Sequence, residues 1–173
     1  MTWTVPEGGR STGIGDLAVV GERRMLEGWL DWQRETLVAK CAGLDGEQLA
    51  RVAVEPSALT LLGLVRHMAE VERAWFRRRV AGEDVGAVWP EDAEEGFGGV
   101  DAGCAERDFG RYRDEVEAAR AAVAGRGLDE TFPVPSGKRL SVRWVYVHMI
   151  QEYARHNGHA DLLRERTDGR TGD

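Results

Sequence analysis

"HMIQEYARHNGHADLLRE", residues 148–165, holds three of the chain's four histidines within twelve positions, with Glu152 among them. The stretch belongs to the last of the chain's long helical patterns, and a helix gives it a definite geometry: each residue turns the chain about 100° and advances it about 1.5 Å. His148, Glu152, His156 and His159 then stand at roughly 0°, 40°, 80° and 20°, on one stripe less than a quarter of the circumference wide. Such a stripe faces one cavity, yet its four groups cannot all hold one ion. His148 and His156 are about 12 Å apart along the axis, whereas metal ligands lie within about 2 Å of their ion. Neighbouring pairs remain: His148 with Glu152, Glu152 with His156 and, at i,i+3, His156 with His159. Spacing alone does not choose among them.

Working outward, Ser141 is placed to cap this helix, and three more long helical patterns precede it, with no period-two strand longer than a few residues. The first is expected from an Asp16 cap to about Ala42, ended by Gly43, and a short helical turn follows over 45–50. The second starts at Pro56 and Ser57 or at Thr60 and stops at Gly82; the third runs from about Cys104 to Ala124. Between them, residues 83–103 are acidic and glycine-rich, longer than most bundle connections, and read as a solvated crossover or as a lid. Residues 125–141 are expected to be extended, pinned by Pro133 and Pro135. The expectation is all-α: a four-helix bundle over 16–169, a flexible segment over 1–15 and a flexible tail over 170–173. Trp29, Trp32, Trp75 and Trp144 are assigned mainly to the core by their spacing, with the lining of a pocket wall as the alternative.

Composition bounds the function. At 173 residues, 42% hydrophobic and 31% charged, the chain describes one soluble globular domain with a sizeable core. A net charge of -7 argues against nucleic acid and anionic membranes, since phosphate binding needs a basic face. No apolar run is long enough to span a bilayer and the N-terminus is too polar for a secretory signal, so a cytoplasmic location is expected. Cys41 and Cys104 lack a nearby partner and read as reduced thiols; Cys41 lies near a helix C-terminus, where the dipole opposes a thiolate. All basic residues but Lys40 and Lys138 are arginine, so Arg66 and Arg155, near the histidines, are read as solvated helix face in preference to groups that meet a ligand.

The remaining histidine, His67 in "LLGLVRHMAEVERAW", is flanked at i−3 and i+4 by Leu64 and Val71, which puts it on a buried face. A histidine there needs a hydrogen bond or a metal to offset desolvation. Facing the last helix, it completes a buried polar cluster, structural or metal-binding. Zinc, nickel or iron accepts two imidazoles and a carboxylate at about 2.0–2.2 Å with a position left open.

The second-helix histidine in "GLVRHMAEVERAWF" followed by "ARHNGHADLLRE" in the final helix resembles the DinB-like metal-binding four-helix bundles, in particular their actinobacterial mini-circle branch, which is related to mycothiol-dependent maleylpyruvate isomerase. The likeness runs from about Trp29 to Gly169. It implies metal ligands at His67, Glu152 and His156, an ExxxH variant of the usual HxxxH. In "HNGH", His159 stands where the family commonly has glutamine; His159 and His148 are then candidates for supporting a ligand or facing substrate. The resemblance further implies a divalent metal, often zinc, that lowers the pKa of a low-molecular-weight thiol such as mycothiol, whose thiolate attacks a small electrophile. Two alternatives stay open: a metal-dependent hydrolase with an activated water, and a non-catalytic metal-binding or stress-related bundle. A homodimer is compatible with any of them.

Overall fold

A computed structural model describes residues 2–11, 13–90 and 96–172. Helix α1 (Glu22–Cys41) is followed by the short α2 (Gly46–Leu49), α3 (Leu61–Glu72), α4 (Ala105–Val123), the strands β1 (Thr131–Pro133) and β2 (Arg139–Ser141), and α5 (Val142–Asp168). The four long helices form the bundle, α1 packing chiefly on α5 and α3 on α4. Their inward stripes, Leu30 and Leu37, Leu62, Leu64 and Met68, Phe109 and Val116, Val145 and Met149, are buried in one core. Among the described residues no helix is long and apolar enough to cross a membrane.

Local chemistry sets the helix ends. The Asp45 side chain accepts from the Gln48 backbone while Gln48 reaches back to the Asp45 amide, a reciprocal cap for α2. Thr60, not Ser57, caps α3, its hydroxyl accepting from Gly63 N at 2.9 Å. Ser141 caps α5 by accepting from Trp144 N, and Gly169, left-handed at φ 82, ends it. The expected Asp16 cap is corrected: Asp16 lies in a separate 3₁₀ turn, Ile14–Leu17, and α1 starts after the extended Gly21. Leu17 is the reason. It folds back over Gly28, where an added Cβ would come within 2.5 Å of its side chain.

Helix α3 does not stop at Glu72. It continues over Arg73–Val80 as a π-helical segment, closed by the Ala81 N to Phe76 O bond at 2.9 Å. Just inside that junction lies a buried polar network. Arg34 of α1 donates from Nε and Nη2 to both Glu72 oxygens at 2.7 Å. Tyr153 of α5 donates to Glu72 at 2.7 Å, and the Tyr112 hydroxyl of α4 lies 3.1 Å from that of Tyr153. One carboxylate thus ties all four long helices.

The expected extended segment contains a tight hairpin of three-residue strands, with Phe132 opposite Leu140. The N-terminal segment, expected to be flexible, lies along the bundle: Val5 is buried and pairs through its backbone with Gly43 and Leu44. The tryptophan assignment is also corrected. Trp29 and Trp32 are only partly buried, Trp75 is partly buried against the core and Trp144 is exposed, the inward stripes being filled by other apolar side chains; Trp89, in the α3–α4 connection, is fully buried instead.

Candidate functional site

Two helices supply the centre of the site. His67 projects from α3 and His156 from α5, both buried, their ring centroids 4.8 Å apart at 62°. Glu152, one turn before His156, places Oε2 3.7 Å from His156 Nε2. His159, one turn after, places Nδ1 3.4 Å from His156 Nδ1. His156 therefore has a carboxylate beside one ring nitrogen and an imidazole beside the other. Burial, reinforced by the nearby His67 and His159, pushes its pKa down to about 4, so the ring is neutral near pH 7 and keeps a lone pair to offer.

Of the stripe on α5, then, Glu152, His156 and His159 are gathered with His67, while His148 is drawn elsewhere. Its ring is stacked on Trp144 at 4.9 Å and edge-on to Trp75 at 4.5 Å. Burial lowers the His148 pKa, opposed by the charge of Glu152. The two partners decide its environment: one turn earlier on α5 the helix faces aromatic wall rather than histidine.

The α3–α4 connection covers the site. Phe97 stacks on the His67 ring, centroids 4.2 Å apart and nearly parallel at 20°. The chain comes this close because residue 96 is glycine: at φ 99, an added Cβ would fall 2.5 Å from the His67 amide nitrogen. Arg66 holds the connection down. Buried to 2% exposure, it donates from Nε to Gly96 O at 3.1 Å and from Nη1 to Gly99 O at 3.3 Å and to Asp108 Oδ2 at 3.3 Å. The solvated reading of Arg66 is thereby overturned, because its helix face is covered by residues 96–100 and α4; Arg155 is exposed as expected. Of the two readings of 83–103, the described part is a packed cover, with Trp89 and Gly96 buried; residues 91–95 lie outside the described residues. Composition hid this cover, since nothing in an acidic, glycine-rich stretch marks Phe97 as a ring partner for His67.

Behind His156, Asn157 anchors α5 to α1, donating from Nδ2 to Gln33 O at 3.1 Å and Gln33 Oε1 at 2.7 Å. The arrangement is chemically suited to a cation: two imidazoles and a carboxylate, with a further imidazole beside them, are the donors of open catalytic metal sites. Among the described residues, no three His, Cys, Asp or Glu side chains converge as placed into a set that could hold an ion. The cysteines are not part of the site. Cys41 is buried in the core, its thiol pushed up to about 12 by desolvation, and Cys104 is raised by its hydrogen bond to Asp101.

Compared with known families, the chain matches the family model described as mycothiol-S-transferase over residues 25–169. No curated protein and no solved structure matches it.

Proposed function

The chain belongs to the mycothiol-S-transferase family, and from that premise we propose that it transfers a mycothiol-type thiol to a small electrophile at a divalent-metal site held by His67, Glu152 and His156. The observation that carries the reading is the meeting of His67 and His156 across α3 and α5 with Glu152 beside them. Zinc suits this donor set, and a divalent cation bound there supplies the acidity that takes a thiol to its thiolate near neutral pH. Glu152, on three rotatable bonds 3.7 Å from His156, closes the set by a change of rotamer. His156 stays neutral and able to donate its lone pair. Phe97, against His67, keeps water from that ring and fixes its plane. His159 orients His156 through its ring nitrogen.

In the reaction a sulfur–carbon bond forms; where the electrophile is an alkyl halide, the carbon–halogen bond breaks, halide leaves with the electron pair and the thiol proton passes to solvent. The test is metal content by elemental mass spectrometry on untagged protein, with conjugation of mycothiol to a benzylic bromide followed by product mass. Wild type is expected to hold about one metal ion per chain, His156→Ala to lose it and His148→Ala to keep it. Chelation is expected to abolish conjugation. Metal lost in His148→Ala but kept in His156→Ala would overturn the ligand assignment, and no rate above the uncatalysed one would overturn the transferase reading.

A further inference from the structure

Two cavities share the side chains of Arg78 and Arg79 as walls. The smaller, about 250 Å³, has His67 and Trp75 in its lining. The larger, a groove of about 630 Å³, runs from the end of the π-helical segment at Ala81 to Phe132 and Pro133 of the hairpin. Only the larger falls within the range usual for a ligand pocket, about 300–1,000 Å³. His67 and Arg79 are twelve residues apart, up to about 18 Å along a helix axis. A cysteine-derived thiol with its sulfur beside His67 therefore cannot reach the groove by its cysteine alone, since one residue spans about 3.5 Å. It needs a body of several further units.

The chemistry of the groove describes that body. Arg78 and Arg126 present guanidinium N–H groups at its surface, their side chains being 36% and 32% exposed. Arg78 donates from Nη2 to Gly86 O at 2.8 Å; Arg126 donates from Nε to Ala122 O at 3.2 Å and from Nη1 to Glu130. Among the described residues nothing accepts from Arg78 Nη1 or Arg126 Nη2, so each arginine keeps a donor for a ligand. Their charges are nevertheless answered: Glu70 Oε2 lies 3.7 Å from Arg78 Nη2, and Glu130 pairs with Arg126. Donors without surplus charge suit neutral acceptors, hydroxyl and amide oxygens, rather than an anion. On the hairpin side, Phe132 and Pro133 offer apolar surface to the C–H face of a ring.

We infer that the groove between the π-helical segment and the hairpin binds the body of the thiol, and that this body is an uncharged, hydroxyl-rich ring structure. Mycothiol has such a body, a glucosamine joined to an inositol, with its cysteine at one end. The sulfur enters the cavity beside His67 while the rings lie against Arg78, Arg126 and the hairpin. The identity of the ligand rests on the transferase reading above; the groove and its donors do not.

Binding is tested by calorimetry on the zinc-loaded protein with S-methyl mycothiol, whose sulfur is blocked, and S-methyl N-acetylcysteine, which lacks the rings. Wild type is expected to bind the first about tenfold more tightly than the second. Ala81→Trp fills the groove and Arg126→Leu removes its donors; each is expected to erase that preference and to leave metal content and binding of the ringless probe unchanged. Arg120→Leu, in the wall of a different cavity, is expected to behave as wild type. Circular dichroism establishes that each variant is folded. Equal binding of the two probes by wild type, or a preference retained by Ala81→Trp or by Arg126→Leu, overturns the subsite. Displacement of S-methyl mycothiol by inorganic phosphate overturns the uncharged body. Conjugation to a benzylic bromide separates the two readings. Ring-dependent binding lost in both variants, with no conjugation of mycothiol by wild type, keeps the groove and overturns the transferase. Conjugation that proceeds as well with N-acetylcysteine as with mycothiol, and equally in Ala81→Trp, does the reverse.

Discussion

Removing the charge of Glu72 by Glu72→Gln leaves the Arg34 guanidinium buried opposite a neutral amide. The carboxylate is fully buried, and Arg34 meets it through two bonds of 2.7 Å. Breaking a buried pair by removing one partner costs about 3–5 kcal/mol, because the surviving charge stays out of water. Arg34 keeps the half-buried Asp31, 2.9 Å from Nη1, which places the expected loss at the lower end, about 3 kcal/mol. For a chain of this length each kcal/mol moves Tm by about 2–4 °C, so a fall of about 6–12 °C is expected. Arg34→Met is expected to cost a similar amount by stranding the carboxylate. The double variant strands no charge, since the amide at 72 still accepts from Tyr153, and its loss is expected to be at least about 2 kcal/mol smaller than the two single losses together. Urea unfolding of the four proteins, read at constant m-value, measures the cycle. Additivity within about 0.5 kcal/mol would refute the reasoning, because it would mean that the two groups do not stabilise one another.

Other outcomes follow from the same coordinates. Iodoacetamide on the native protein is expected to alkylate Cys104, slowly because Asp101 raises its pKa, and to leave Cys41 untouched until the chain unfolds; peptide mass spectrometry showing native labelling of Cys41 would contradict its burial. Cys41 and Tyr146 are both held protonated, their pKa values pushed up to about 12 by burial. A raised folded pKa contributes stability that is complete below the unfolded value and lost as pH climbs through the folded one. Tm is therefore expected to hold to about pH 9 and to fall between about 9 and 12, with a later onset in Cys41→Ala; a Tm flat to pH 12 would contradict both shifts. Gly96→Ala places a Cβ against the His67 backbone at a positive φ, at roughly 1–2 kcal/mol for the conformation and about 1–3 kcal/mol for the overlap. The cover is expected to lift while the bundle stays folded, so amide exchange at residues 96–100 quickens with little change in Tm. Unchanged exchange there would show that the close approach is not needed.

The bundle was legible because its signals are local. Thr60, Ser141 and Gly82 announce helix ends by chemistry that involves only their own turn, and apolar spacing announces the buried stripes. Where a distant residue intervened, the same reasoning failed: Leu17 folding over Gly28 took Asp16 out of the first helix, and the filled stripes left Trp29 and Trp32 only partly buried and Trp144 exposed. The short hairpin lay below the length at which alternation can be read, since each strand is three residues long.

The candidate site divides the same way. Helical spacing alone, a property of the backbone, placed Glu152, His156 and His159 on one stripe, and the apolar flanks of His67 turned it inward. Which of these groups meet was settled by the crossing of α3 and α5, which sets the His67 and His156 rings 4.8 Å apart and leaves His148 between Trp75 and Trp144. Arg66 and Phe97 illustrate what spacing cannot carry. Their partners lie some thirty residues away in sequence, so a surface arginine and a buried one read alike until the connection closes over them. The π-helical continuation of α3 over Arg73–Val80 likewise left no mark in the local pattern, which reads as one unbroken helix up to Gly82.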